Sequence, residues 1–384
     1  MYNLTSSYQS HLKACLKRTE YLILSILVAM IQNDKLVILE ELASKFPQKI
    51  LFESRRRKIQ RFLSLPQLNF KTIWFPLFTA WLAREFEPKE VLYIAIDRTQ
   101  WSSINLLVIS LIYQRRAIPI YFELLPRVGC CNCEQQKAAL SKVLPLLTPY
   151  ITVVLGDREF CSVDLASWLR KQPQTYFCLR LRRSEYVEVE QEWVQLKNLG
   201  LAPGISLYLE GVKVTKTKGF IGGNIACKWQ RSYRGAVADE AWFILTNLLN
   251  LSPALSAYKK RFGIEEMFRD FKSGGYNLEK TGVQGDRLIA LILLITLAYS
   301  SAIFSGEQIK KKGQVKYVGR IKEPRRQYKR HSDFYIGAHG LSWVKSLQFF
   351  SLLSSQLMAL SPHKRPYYQR GRRAEKLIIS TFQP

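Results

Sequence analysis

Hydrophobic and polar positions along the chain change period several times. Residues 1–88 read as helical and include an apolar stretch from Tyr21 to Ile31. From 91 to 182, short apolar runs alternate with amphipathic ones. Val91–Ile96 is rich in β-formers and ends at Asp97. Leu106–Tyr113 and Ala117–Leu125 are close enough to pair as a hairpin or meander. Glu134–Leu147 has helical spacing, with Pro149 just beyond its end. Ile151–Leu155 reads as a buried strand that runs into Gly156-Asp157. Ser162–Lys171 reads as a helix and Thr175–Leu181 as a strand. The resulting order, β-β-β-α-β-α-β, predicts an α/β fold with a mixed sheet flanked by helices.

The character changes over 183–247. Tyr186–Glu190, Ile205–Leu209 and Gly211–Thr215 alternate with period two, which predicts a β-rich segment inserted into the α/β region. Residues 252–272 predict a helix, with Ser252 as N-cap, Pro253 in the first turn and Gly274-Gly275 after its end. An uncharged run, Leu288–Phe304, contains Thr296, Tyr299, Ser300 and Ser301. A central helix buried on all sides suits it better than a membrane span. A further helix-like run covers 341–360. The expected organisation is a helical N-terminal domain at 1–88, the first part of a core at 89–182, the β-rich insertion at 183–247, core helices at 248–305 and a basic C-terminal region at 306–384.

Composition narrows the class. Of 384 residues 47% are hydrophobic, enough to bury a large core and exclude a disordered chain. The 57 Lys+Arg against 30 Asp+Glu leave a net charge of +27, more than acidic small molecules need; it points to a polyanionic partner. The excess is spread out: +6 over 1–90, +8 over 91–304 and +13 over 305–384. The run Arg55, Arg56, Arg57, Lys58 is a candidate phosphate contact on a helix. Seven cysteines argue against a disulfide framework, and the cluster Cys130, Cys131, Cys133 reads as loop cysteines, without the spaced pairs or His partners of a zinc site. No basic-then-apolar start is evident, so no secretory signal is expected.

Two aspartates follow apolar strands, Asp97 in Ala-Ile-Asp-Arg-Thr and Asp157 in Leu-Gly-Asp-Arg-Glu-Phe. Carboxylates so placed stand at a sheet edge, where sites form, although a strand-end Asp is commonly a turn residue. Tyr258, Arg261, Glu265 and Lys272 fall, at about 100° per residue, within an arc of roughly 60° on a helix. Phosphodiester chemistry with divalent ions calls for converging carboxylates, with cations to hold phosphates. Asp97, Asp157 and Glu265 are the candidate catalytic and metal-ligating residues.

The spacing Tyr-x2-Arg-x3-Glu-x6-Lys resembles the signature of the bacterial insertion-sequence DDE transposases of the insertion sequence four family. A chance match to four fixed residues has a probability of about 0.2% in a chain of this length. Asp97-Arg98-Thr99 and Gly156-Asp157-Arg158-Glu159-Phe160 resemble the family's two Asp motifs. The resemblance covers about 90–305. It implies a ribonuclease H-like core in which the first and fourth strands are adjacent. It also implies two Mg²⁺ ions on Asp97, Asp157 and Glu265, with Mn²⁺ able to substitute. The implied activity is cut-and-paste transposition at terminal inverted repeats, by a homodimer on double-stranded DNA. Tyr258, Arg261 and Lys272 would contact DNA, and Trp242 would stack on a flipped base. The implied setting is the bacterial cytoplasm, at the nucleoid, with no membrane partner. The alternative is an inactive or domesticated transposase-derived DNA-binding protein.

Overall fold

The computed structural model describes residues 6–127, 129–216, 219–233, 236–321 and 331–382. The chain divides into two compact units: 78–270, and 1–77 together with 271–384. The N-terminal helices therefore cluster with the C-terminal third, a division different from the one the sequence suggests.

The 78–270 unit is built on strands β1 (Val91–Trp101), β2 (Ile104–Tyr113), β3 (Arg116–Leu124), β4 (Ile151–Gly156), β5 (Thr175–Arg180), β6 (Tyr186–Val189), β7 (Glu192–Gln195), β8 (Ser206–Val214), β9 (Phe220–Lys228), β10 (Ser232–Tyr233), β11 (Ala236–Val237) and β12 (Trp242–Thr246). Ten of them form one mixed sheet in the order β3-β2-β1-β4-β5-β12-β9-β8-β6-β7; β10 and β11 pair separately. β1 and β4 are adjacent and parallel, as are β4 and β5, while β1-β2-β3 is an antiparallel meander. The helices Cys133–Val143 and Val163–Arg170 supply the crossovers on either side of β4. The predicted β-β-β-α-β-α-β order is thus observed, in an arrangement consistent with a ribonuclease H-like fold.

Four features differ from expectation. β1 continues past Asp97 to Trp101, because Arg98–Trp101 pair with β2 after the pairing with β4 has ended. The β-rich segment continues the main sheet, since β12 pairs with both β5 and β9. Two of its period-two runs merge into the single strand β8, broken in register between Leu209 and Val212, where Gly211 adopts φ +65°. The predicted helix 252–272 is two segments, Leu251–Lys260 and Phe262–Phe271, and Asn250 rather than Ser252 occupies the N-cap position. One sheet face packs on the first segment through Val153, Leu155, Ile244, Ala254, Ala257 and Tyr258.

The other unit is helical. Its central helix, Gly285–Lys311, is long and apolar enough to cross a membrane, yet its most apolar window is 89% buried within the protein. Tyr8 meets it through a 3.0 Å hydrogen bond between its hydroxyl and Ser300 Oγ. The helix Asp333–Phe349 crosses it closely: a Cβ at Gly306 would meet the Asp333 carbonyl, and one at Gly337 the Ala302 carbonyl. The apolar run at 341–360 is divided between this helix and a second one, Ser351–Ala359. Part of the basic tail, 322–330, lies outside the described residues.

Candidate active site

The parallel ladder between β1 and β4 ends at the pair Ile96 and Gly156. The next residue along each segment is an aspartate, Asp97 within β1 and Asp157 just past the end of β4. Gly156 is required there, since a Cβ would stand 2.9 Å from both Leu179 and Phe160. Both aspartates are aimed in the same way. Asp97 Oδ1 accepts the Arg98 backbone N–H, and Asp157 Oδ1 accepts that of Arg158, each at 2.8 Å.

Glu265 arrives on the helix Phe262–Phe271. Gly263 lets that helix approach the β2–β3 hairpin, where a Cβ would lie 3.0 Å from the Arg116 carbonyl. Arg116 fastens it with ion pairs of 2.9 Å to both Glu266 and Asp270. The two helical segments meet at Arg261. The bonds from Arg261 N–H to the Tyr258 carbonyl and from Ile264 N–H to the Arg261 carbonyl, each 3.0 Å, are tighter three-residue steps.

Arg261 is the centre of the site. Its guanidinium side chain is only 4% exposed and has all three acids as partners: Asp97 at 3.1 Å, Glu265 at 2.6 Å and Asp157 at 3.7 Å. The family resemblance implies a DNA contact for this arginine; in the structure it faces inward, where a buried cation offsets the repulsion of three carboxylates. Tyr258 is fully buried, and its hydroxyl donates to Asp157 Oδ1 at 3.4 Å. Burial pushes the Tyr258 hydroxyl well above the usual phenol range. Burial also pushes the Asp97 carboxyl up to about 6 against the pull of Arg261, and the neighbouring acids add to the rise.

Sequence reasoning missed a second group of cations. Glu240 pairs with Arg158 and, at 2.6 Å, with Arg180; Arg180 also lies 3.9 Å from Asp157. Arg158 was visible inside the Asp157 motif, but Arg180 and Glu240 stand 23 and 83 residues beyond Asp157, and no local pattern links them.

The remaining candidates are placed as follows. Trp242, expected to stack on a base, is 7% exposed in β12; its ring is 5.3 Å from that of Tyr258 and 6.0 Å from that of Phe262. Its indole is a core contact in this conformation. Lys272 belongs to the helical unit, where its ammonium reaches Glu279 at 2.7 Å. Arg55, Arg56, Arg57 and Lys58 lie on the helix Phe52–Leu63, also in the helical unit. Arg56 and Arg57 each contact a glutamate at 3.0 Å, Lys58 contacts Gln48, and Arg55 contacts the Ile50 carbonyl. All seven cysteines are free thiols, and burial pushes Cys131 up to about 12.

Among the described residues, no group of three or more His, Cys, Asp or Glu is arranged to hold a metal ion by itself. The three carboxylates converge on Arg261 instead. Their chemistry nevertheless suits a divalent cation: hard oxygen donors carry three negative charges about a centre that now holds one positive charge.

Residues 131–300 match the family model of the transposase DDE domain. The matched segment contains Asp157, Tyr258, Arg261 and Glu265 and begins after Asp97. No curated protein matches the chain. Among solved structures, a cryo-EM structure of a piggyBac transposase synaptic complex with hairpin DNA aligns over 99% of this chain and 82% of that one, at 12% identity and a TM-score of 0.44.

Proposed function

We propose that this chain is a DNA transposase of the insertion sequence four type, with Asp97, Asp157 and Glu265 as its catalytic carboxylates. The observation that carries the reading is the convergence of three acids, from β1, the end of β4 and a following helix, on one buried guanidinium. The DDE-domain match, which contains two of the three, supports it.

The three carboxylates would hold Mg²⁺, with Mn²⁺ as a substitute; bound there, the ion would supply Lewis-acid polarisation of a phosphoryl oxygen and a more acidic water. The protein's own residues do the rest. Arg261 balances charge among the acids before substrate arrives. Tyr258 orients Asp157 through its hydroxyl. Arg158 and Arg180 stand beside Asp157 as cations suited to phosphate oxygens. The net charge of +27 supplies salt-sensitive attraction to the duplex.

The proposed reaction is cleavage at terminal inverted repeats and strand transfer to target DNA, by a homodimer at the nucleoid in the bacterial cytoplasm. An excision assay tests it: a reporter flanked by the element's own ends is supplied with this chain in cells. Excision by the wild type and none by Glu265→Ala supports the reading. Equal excision by Glu265→Ala sinks it.

A further inference from the structure

The β1–β4 ladder ends at Ile96 and Gly156, so backbone pairing does not fix the separation of the two aspartates, which share Arg261 as a side-chain partner. Arg98 directly follows Asp97, and Glu159, of opposite sign, stands two residues after Asp157. Arg98 Nε meets Glu159 Oε1 at 2.5 Å, which ties the segment after Asp97 to the segment after Asp157. Both side chains are largely covered, at 18% and 21% exposure, so the pair is screened less than a surface one.

The pair is braced from a third segment. The same Glu159 oxygen accepts the Cys131 backbone N–H at 3.0 Å. Arg98 Nη1 also donates to Asn105 Oδ1 at 3.3 Å, and the Asn105 amide donates to the carbonyls of Arg127 and Gly129 at 2.7 and 3.0 Å. Gln136 donates to the Cys131 carbonyl at 3.0 Å. Asn105 and Gln136 are buried, at 1% and 2% exposure, so each is committed to this bracing. The cysteine-containing loop is thereby fastened to the segments that follow the two acids.

We infer that Arg98 and Glu159 form a strap that sets the spacing of Asp97 and Asp157, and so the affinity of the carboxylate site for a divalent cation. The inference rests on the proposed function, since it takes these acids as the metal ligands. Arg98 and Glu159 are positioning residues: they act through their neighbours and not on substrate.

The test uses the purified full chain without DNA and follows Mn²⁺ uptake by calorimetry, with thermal unfolding recorded for each variant. Glu159→Gln and Arg98→Gln should each weaken Mn²⁺ binding by roughly 10-fold or more, the scale of losing a residue that orients a ligand. The double variant should be no weaker than either single, because each change breaks the same strap. Glu159→Asp, which keeps the charge with a shorter reach, should fall between wild type and Glu159→Gln. On end DNA, the Mg²⁺ needed for half-maximal cleavage should rise in parallel, and the rate at saturating Mg²⁺ should recover. Mn²⁺ affinity unchanged in folded variants overturns the strap and leaves the proposed function standing. A wild type that takes up no Mn²⁺ overturns both.

Discussion

The helix face that carries Arg261 and Glu265 and the basic helix Phe52–Leu63 both read in the sequence as charged stretches on helices, and they turn out to be different kinds of place. At the centre, Arg261 is 4% exposed and its partners come from three elements, two of them more than 100 residues away in sequence. On the basic helix, Arg57 is 70% exposed and pairs with Glu53 one turn away. The first arrangement exists only because the sheet and helix bring distant residues together. The second could form on an isolated helix and is worth little to stability. Under the proposed function, the contrast separates charge that would carry specific chemistry from charge that would supply general attraction.

The largest effect should come from removing a carboxylate. Asp97→Asn, Asp157→Asn or Glu265→Gln should each lower end-DNA cleavage by roughly 10³-fold or more, the scale of removing key electrostatic stabilisation from a reacting centre. The same substitution at Glu53 should leave cleavage within a few-fold.

Arg261→Gln should come next. It leaves three acids without their buried counterion, at a cost of about 3–5 kcal/mol in folding stability, read from urea unfolding without divalent ions. Divalent ions should restore part of the loss by binding the folded state. No comparable loss should follow Arg57→Gln, for which less than about 1 kcal/mol is expected.

Acid pH sharpens the comparison further. The Asp97 carboxyl rises from 3.8 to about 6 on folding, so the folded chain holds its proton more tightly than the unfolded chain does. That contribution is complete below about pH 4 and is lost as pH rises through about 6, by up to roughly 3 kcal/mol. Unfolding of wild type and Asp97→Asn from pH 4 to 8 should show the decline in wild type alone.

The smallest effect belongs to the basic helix. Arg57→Gln should reduce the slope of log affinity against log salt by about 1 on any duplex, with no preference for the element's ends.

The architecture was legible because strand and helix periods alternate clearly from Val91 to Arg180, and the Tyr258–Lys272 spacing marked the third acid. What stayed hidden depended on distant pairing. β1 continues past Asp97 because β2 holds it, which no local signal announces. The step at Arg261 divides a helix whose apolar pattern is continuous, and it turns the guanidinium onto the acids. The resemblance implied a stacking role for Trp242, while its contacts with Tyr258 and Phe262, 16 and 20 residues further on, had no local signal. Glu240 and Arg180 were ordinary charges until β5 and β12 became neighbours.

The most direct measurement is strand cleavage of the element's end DNA by purified protein in Mg²⁺, with wild type and the three single carboxylate variants run side by side. The account predicts nicking by the wild type, none with chelator present, and loss of activity in all three variants while their folds and DNA binding persist. A variant at Asp97, Asp157 or Glu265 that cleaves like the wild type would contradict it.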